Sequence, residues 1–290
     1  MPPAPLISVI VIFKNEYKHI RRCVSSILNQ SYNRFELILV NDASIDESKN
    51  VVRAFNDERI VYCENNESKG IPHSRNIGLG MAKGKYIFFT DADCIAHKTW
   101  LEEGLKSLQK GFLGVEGRLV YLSKKPSISD RVVQNLSGGF WPTANMGYAA
   151  AVINKIGCFD ITFGNYASDR DIAFRVMHHG KICFNKKMIV YHCVKKWNFK
   201  RLINDSKIGA VSRVRLIKKH NDKTDRLWRV VLAKHLFGIL FPPSVFLHKL
   251  LNYRVSSFRD IKVMLYFYPA FIVERYFIWR TAVKERVFLI

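Results

Sequence analysis

The sequence predicts an α/β fold: a mostly parallel central sheet flanked by helices, followed by a basic helical extension. Three observations carry this. Short apolar runs without alternation, the pattern of strands buried on both faces, recur through residues 6–90. Segments of helical periodicity separate them, as in chains that alternate strand and helix. The last third of the chain differs from the rest in charge and aromatic content.

The elements follow in order. Residues 6–13 (Leu-Ile-Ser-Val-Ile-Val-Ile-Phe) read as a fully buried strand. Within 17–29, Ile20, Cys23, Val24, Ile27 and Leu28 fall at helical spacing. Residues 35–40 form a second buried strand, and 47–55 a short helix after a polar turn. A third strand is expected at 59–63, a helix at 74–82 and a fourth strand at 86–90. Beyond these, 137–142 is a loop, 145–153 is small and apolar, and 168–178 is a helix. Residues 181–191 contain a strand leading to His192.

In open parallel sheets, ligands sit beyond the carboxyl ends of the strands. Three of the four strands end there in charged or amide residues: Asn15-Glu16, Asn41-Asp42, and Asp91 with Asp93. The last ending is the most informative. Two close carboxylates repel each other and resist desolvation, so a buried strand finishing in Asp-Ala-Asp asks for a counter-charge. A divalent cation supplies it, and hard oxygen ligands suit magnesium or manganese. Taken alone, the same tripeptide also fits a solvated turn.

A chain of 290 residues buries one large core, or one core plus an appendage. Its six cysteines show no metal-finger spacing and fit reduced thiols better than a disulfide framework. The first residues carry no charged leader, and 6–13 is too short for a signal peptide, so the α/β part is expected in the cytosol. The formal charge of +22 is concentrated: residues 195–290 hold 21 Lys and Arg against 6 Asp and Glu. Such asymmetry points to an anionic partner: a membrane surface, a nucleic acid or phosphorylated substrates. Two aromatic stretches, 236–247 and 263–279, are too short or too interrupted to cross a bilayer, but suit its interface. A helical cap, solvated on its basic side, is the other reading. The expected division is therefore 1–195 and 196–290.

Several blocks, in order and at matching spacing, resemble one family. They are the opening strand with Asn15-Glu16, Ser26 to Tyr32, Glu36 to Asp46, Ser74-Arg75-Asn76, and Thr90-Asp91-Ala92-Asp93. Together they are similar to the family 2 glycosyltransferases, inverting enzymes with the GT-A fold, over roughly 6–193. The chain departs from that pattern at Ile12-Phe13-Lys14, where Pro-Thr-Tyr is common, and at Asn41, where Asp is commoner.

The resemblance implies roles for individual residues. Asp42 would accept from a uracil ring nitrogen, although an Asx-type turn with Ser44 fits it too. Arg75 would hold the phosphates, with Asn15 and Glu16 on the donor side. Asp93 would bind the metal directly. Asp91 would contact ribose, the metal or its water, and His192 would complete the metal shell. Ser168-Asp169-Arg170-Asp171 is similar to the family's Glu-Asp-x-Asp block, which makes Asp169 the general base. Ser168 replaces the usual Glu, and the same residues are favoured at a helix N-terminus. Trp141, Asn145 and Asp171 would form the acceptor and sugar pocket, with Cys94 as packing.

The implied activity is transfer from a nucleotide-diphosphate sugar, UDP-linked in particular, to a lipid-linked or glycan hydroxyl. Mn2+ or Mg2+ would be the cofactor. The enzyme would be peripheral on the inner face of a membrane, attached through 196–290. Three alternatives are weighed against it. A sugar nucleotidyltransferase needs a glycine-rich loop after the first strand, and no glycine occurs before Gly70. A nucleic-acid-binding protein accounts for the charge but not for acidic strand ends. A catalytically inactive transferase-like subunit stays open, given Ser168.

Overall fold

β1 (Ile7–Phe13) lies between two parallel neighbours, β2 (Phe35–Asn41) and β4 (Tyr86–Asp91), and β3 (Ile60–Glu64) extends the parallel part beyond β2. The structure is a computed structural model and describes residues 5–122, 126–164, 166–220, 253–255 and 257–287. The helices α1 (Ile20–Leu28), α2 (Ser48–Arg53) and α3 (Ile71–Met81) connect these strands. This is the alternation read from the sequence, with α1 and α2 shorter than expected by a few residues and α3 starting three residues earlier.

In the second half of the sheet only the strand leading to His192 was expected; β5, β6 and β8 were not. After β4 come β5 (Cys94–Ala96), α4 (Trp100–Gln109), β6 (Gly114–Tyr121), β7 (Asp130–Arg131) and β8 (Met146–Ala149). The chain continues through α5 (Ala150–Ile156), α6 (Ser168–Met177) and β9 (Ile182–His192). The eight-stranded sheet runs β3-β2-β1-β4-β8-β6-β9-β5, antiparallel only where β8 meets β4 and β6 and where β5 meets β9. β6 escapes an apolar-run reading because Gly114, Glu116, Gly117 and Arg118 interrupt it.

Alternation along the strands feeds two cores. Val9, Val11, Leu37, Leu39 and Phe88 pack with α1 and with Trp100 and Leu101 of α4. Ile10, Ile38, Phe89 and Tyr148 pack on the other face with Ile172 and Val176 of α6. Burial on both faces explains the uninterrupted apolar runs, each such side chain contributing roughly 1.5–3 kcal/mol. Gly104 lets α4 close onto the sheet, since a Cβ there would stand 2.3 Å from the Phe88 ring.

Two units are compact in themselves: residues 1–122 with 133–193, and 123–132 with 194–290. In the second, β7 pairs antiparallel with β10 (Lys195–Lys196). α7 (Phe199–Lys219) packs on α8 (Phe258–Glu285) through Ala210, Val214, Ile278 and Ala282. Ion pairs Arg213–Glu274 and Lys218–Glu285 fasten the two helices. The stretch 236–247 lies outside the described residues, whereas 263–279 falls inside α8. No helix among the described residues is long and apolar enough to cross a membrane.

Candidate active site

The site is assembled where β4 turns into β5. β5 pairs with β9 so that Cys94 lies opposite His192, and the Cys193 N–H donates to the Asp93 carbonyl at 2.9 Å. That register sets the Asp93 and His192 side chains together, Oδ1 to Nε2 at 3.6 Å, both buried. His192 Nδ1 stands 2.9 Å from the Cys193 carbonyl oxygen, which only accepts, so Nδ1 carries a proton. Nε2 is then the ring nitrogen on the Asp93 side and the one placed to ligate a metal.

Cys94 Sγ joins these two, the donor atoms of all three lying within 4.8 Å of one another. Burial pushes the Cys94 thiol well up, and the charges of Asp91 and Asp93 add to this. A soft thiol also suits Mn2+ or Mg2+ least, which leaves the Asp93 carboxylate and the His192 imidazole as the better donors. Two protein ligands with open positions fit Mn2+ or Mg2+, which also bind through substrate phosphates. Asp91 stands outside this set: its Oδ1 faces Arg75 Nη2 at 3.5 Å.

Arg75 reaches this place from α3, buried, with its guanidinium 5.4 Å from the centre of the Phe159 ring. Burial pulls its pKa down, while Asp91 and Asp169 hold it up. Asp169 opens α6, whose N-terminus favours a carboxylate, and accepts from the Arg170 N–H at 2.9 Å. Burial pushes its carboxyl above the usual range, against the pull of Arg75 and Arg170. Asp91, Arg75 and Asp169 thus form one electrostatically coupled set. Tyr148, missed in the sequence, is fully buried beside them, its hydroxyl without a hydrogen-bond partner among the described residues. Its apolar surroundings gave no signal.

Asp42 organises the neighbouring loop. Its oxygens accept from Ser68 Oγ (2.7 Å), Ser74 Oγ (2.9 Å), Asn65 Nδ2 (3.0 Å), and the N–H groups of Lys69 (3.0 Å) and Gly70 (3.2 Å). Burial pushes the carboxyl up, but these donors outweigh it and hold it at about 2. The Asx-type turn expected with Ser44 belongs instead to Asn41, whose Oδ1 accepts the Ser44 N–H at 2.9 Å. Asn15, at φ +55°, links the exits of β1 and β2: its N–H donates to Ser44 Oγ and its Oδ1 accepts from Ile45 N–H. The Glu16 carboxylate lies 3.1 Å from His19 Nδ1.

On the remaining side, three residues were expected to form one pocket: Trp141, Asn145 and Asp171. Trp141 is half-buried, its ring edge-on to Phe174 with centroids 5.3 Å apart. Its loop is gathered by Glu116, another residue the sequence did not flag, which accepts from the N–H groups of Gly139, Phe140 and Trp141. Asn145 does not line a pocket. It is fully buried, accepting from Trp100 Nε1 and donating to the carbonyls of Arg118 and Met188. Asp171 is likewise fully buried and paired with Arg175 at 2.9 Å, while Arg175 also bonds the carbonyls of Ile156, Gly157 and Cys158. Both polar groups are consumed by packing, which the sequence pattern alone did not reveal.

The family model described as glycosyl transferase family 2 matches residues 8–165. An uncharacterized glycosyltransferase of Haemophilus influenzae is 39% identical over 112 residues, 38% of this chain and 35% of that protein. The Escherichia coli UDP-Glc:alpha-D-GlcNAc-diphosphoundecaprenol beta-1,3-glucosyltransferase WfaP is 38% identical over 88 residues, 30% of this chain and 35% of that one. The matches thus span about a third of each relative's length. Among solved structures, the mannosyltransferase PcManGT from Pyrobaculum calidifontis, in complex with GDP-Man and Mn2+, superposes with a TM-score of 0.63 at 16% identity, covering 99% of this chain and 88% of that one. S. aureus TarS 1–349, in complex with UDP-GlcNAc, gives 0.54 at 17% identity, over 71% and 66%. These two likenesses are likenesses of fold.

Proposed function

The chain belongs to glycosyl transferase family 2, and from that premise we propose that it moves a sugar from a nucleotide-diphosphate donor to an acceptor hydroxyl with inversion. One observation carries the reading. Beyond the carboxyl ends of β1, β2 and β4, the buried Asp93–His192 pair stands with the charged set of Asp91, Arg75 and Asp169.

In this reading Asp42 receives the nucleotide base, exchanging one of its loop donors for a ring N–H, and Asn15 and Glu16 shape the same end of the sheet. The UDP class is favoured because the names of WfaP and of the TarS complex carry UDP-sugars. Asp93 and His192 would hold Mn2+ or Mg2+, which when bound neutralises charge on the diphosphate. Arg75 supplies a fixed positive charge on the same side, and Asp91 orients it.

Asp169 accepts the proton of the acceptor hydroxyl as that oxygen attacks the anomeric carbon. The bond from this carbon to the diphosphate oxygen breaks on the opposite face, and the diphosphate leaves with the electron pair. A carboxyl held above its usual range is a stronger base than an exposed one. Trp141 offers an aromatic face to the acceptor sugar. The acceptor is proposed to be lipid-linked or a glycan, in line with the diphosphoundecaprenol in the WfaP name. The catalytic unit is taken as 1–195, and 196–290 as the basic extension holding it peripherally at the cytosolic face of a membrane.

Titration calorimetry with UDP, GDP, CDP and dTDP, with and without manganese, tests this on the wild type and Asp93→Ala. Manganese-dependent binding of one diphosphate, lost in the variant, is the expected result. Absence of binding under every metal condition would defeat the reading.

A further inference from the structure

The second unit carries a feature that donor chemistry does not use. Along α8, the exposed apolar side chains Leu265, Tyr268, Ile272, Tyr276, Trp279 and Val283 recur at steps of three and four residues. Such positions share one face of a helix. Leu265 is 61% and Val283 76% exposed, so these are not side chains half-tucked into a core. The buried side, carrying Val263 and Ala270 with Ile278 and Ala282 against α7, is turned roughly the other way. The stripe runs from Leu265 to Val283, about 27 Å of a helix about 42 Å long, and a continuous aromatic and aliphatic stripe of that length exceeds what soluble surfaces usually leave bare.

Charge on α8 is sorted in the same sense. Its three acids all lie toward the packed side and are engaged there: Asp260 with Ser127 and Ser257, Glu274 with Arg213, Glu285 with Lys218. The charges flanking the stripe are basic: exposed Lys262, Arg280 and Lys284 on one side, and half-buried Arg275 along the other. Arg275 stacks 4.6 Å from the Phe271 centroid, yet its Nε and Nη2 are shielded from solvent with no hydrogen-bond acceptor among the described residues. A guanidinium left in that condition is short of an anionic oxygen partner.

We propose that α8 lies flat in the interface of an anionic bilayer, its apolar stripe among the acyl chains and its basic flanks, Arg275 included, against lipid phosphates. This rests on the reading of 196–290 as the membrane-facing part and names the helix, the face and the headgroup chemistry. Three features single out a lipid surface. The stripe is apolar enough to partition, the helix is too charged to span, and the flanks are of one sign. A second copy set stripe against stripe would bring the basic flanks together, which opposes self-association.

Flotation of the full chain with vesicles of phosphatidylcholine alone, or of phosphatidylcholine with phosphatidylglycerol, tests the proposal. Wild type should float with the anionic vesicles, and high salt should release only part of it. Leu265→Glu with Trp279→Glu should cut partitioning roughly tenfold or more, since two buried apolar side chains are lost. Lys262→Gln with Arg280→Gln should erase the preference for anionic lipid and keep residual binding. All variants should keep the wild-type melting temperature, oligomeric state and nucleotide-diphosphate affinity. A stripe variant that floats like wild type overturns the proposal. So does one that melts lower or changes oligomeric state, because the stripe is then covered by this chain's own 221–252 segment or by a second copy. Loss of nucleotide binding with flotation intact would count against sugar transfer alone.

Discussion

The Glu116 carboxylate accepts the backbone N–H of Trp141 at 2.6 Å, and through that bond a buried charge on β6 sets the loop that presents the indole. Asn135 Nδ2 and the N–H groups of Gly139 and Phe140 share the same carboxylate. Glu116→Gln replaces one acceptor oxygen by a donor in a site made only of donors. The expected cost is about 1–3 kcal/mol. Thermal unfolding should show a lower midpoint, and acceptor KM should rise while nucleotide affinity stays unchanged.

Asp42 is expected to be an acid-sensitive stabiliser. Its carboxyl is held at about 2 in the fold, against an unfolded value near 3.9. The folded value is depressed, so the stabilisation is fully present above about pH 4 and is lost as pH falls toward 2. At neutral pH it contributes on the order of 2–3 kcal/mol. Asp42→Asn should lower the melting temperature at pH 7 and flatten the stability profile across that acid window. Chemical denaturation at several pH values checks both.

Asp169→Asn should abolish transfer, by roughly a hundredfold or more, while leaving manganese-dependent nucleotide binding within about twofold. Burial holds the wild-type carboxyl above the ordinary range, and only the deprotonated form accepts a proton. Turnover should therefore fall as pH drops, with the acidic limb lying above the usual carboxylate pKa. A pH–rate profile of kcat/KM with the isolated enzyme measures it. A limb at or below the ordinary carboxylate value would remove Asp169 as the base.

Asn145→Ala tests the separation of packing from recognition. Trp100 Nε1 and the carbonyls of Arg118 and Met188 would each lose a partner in the core. Destabilisation of about 3 kcal/mol or more is expected from orphaned buried groups and the cavity together. An acceptor-binding defect with unchanged stability would show instead that Asn145 meets substrate.

The parallel half of the sheet was legible because strands buried on both faces must be apolar throughout, as in 7–13 and 35–41, and because helices between them must show one apolar face. The Asp-x-Asp ending and the acidic start of α6 were legible for a related reason: charge at the end of a buried element is costly unless it has work to do. Of the remaining strands β9 was expected but β6 was not, since glycines and a charge interrupt it, and what pays for that charge is a loop about twenty residues away in sequence. Only tertiary structure could choose among the polar residues. The β5–β9 register delivers His192 and Cys94 to Asp93, while Arg75 draws Asp91 aside. Core hydrogen bonds and an Arg175 pair consume Asn145 and Asp171. Residue type and spacing determine what a side chain is able to do; which partner it meets depends on contacts distant in sequence, and these the fold alone decides.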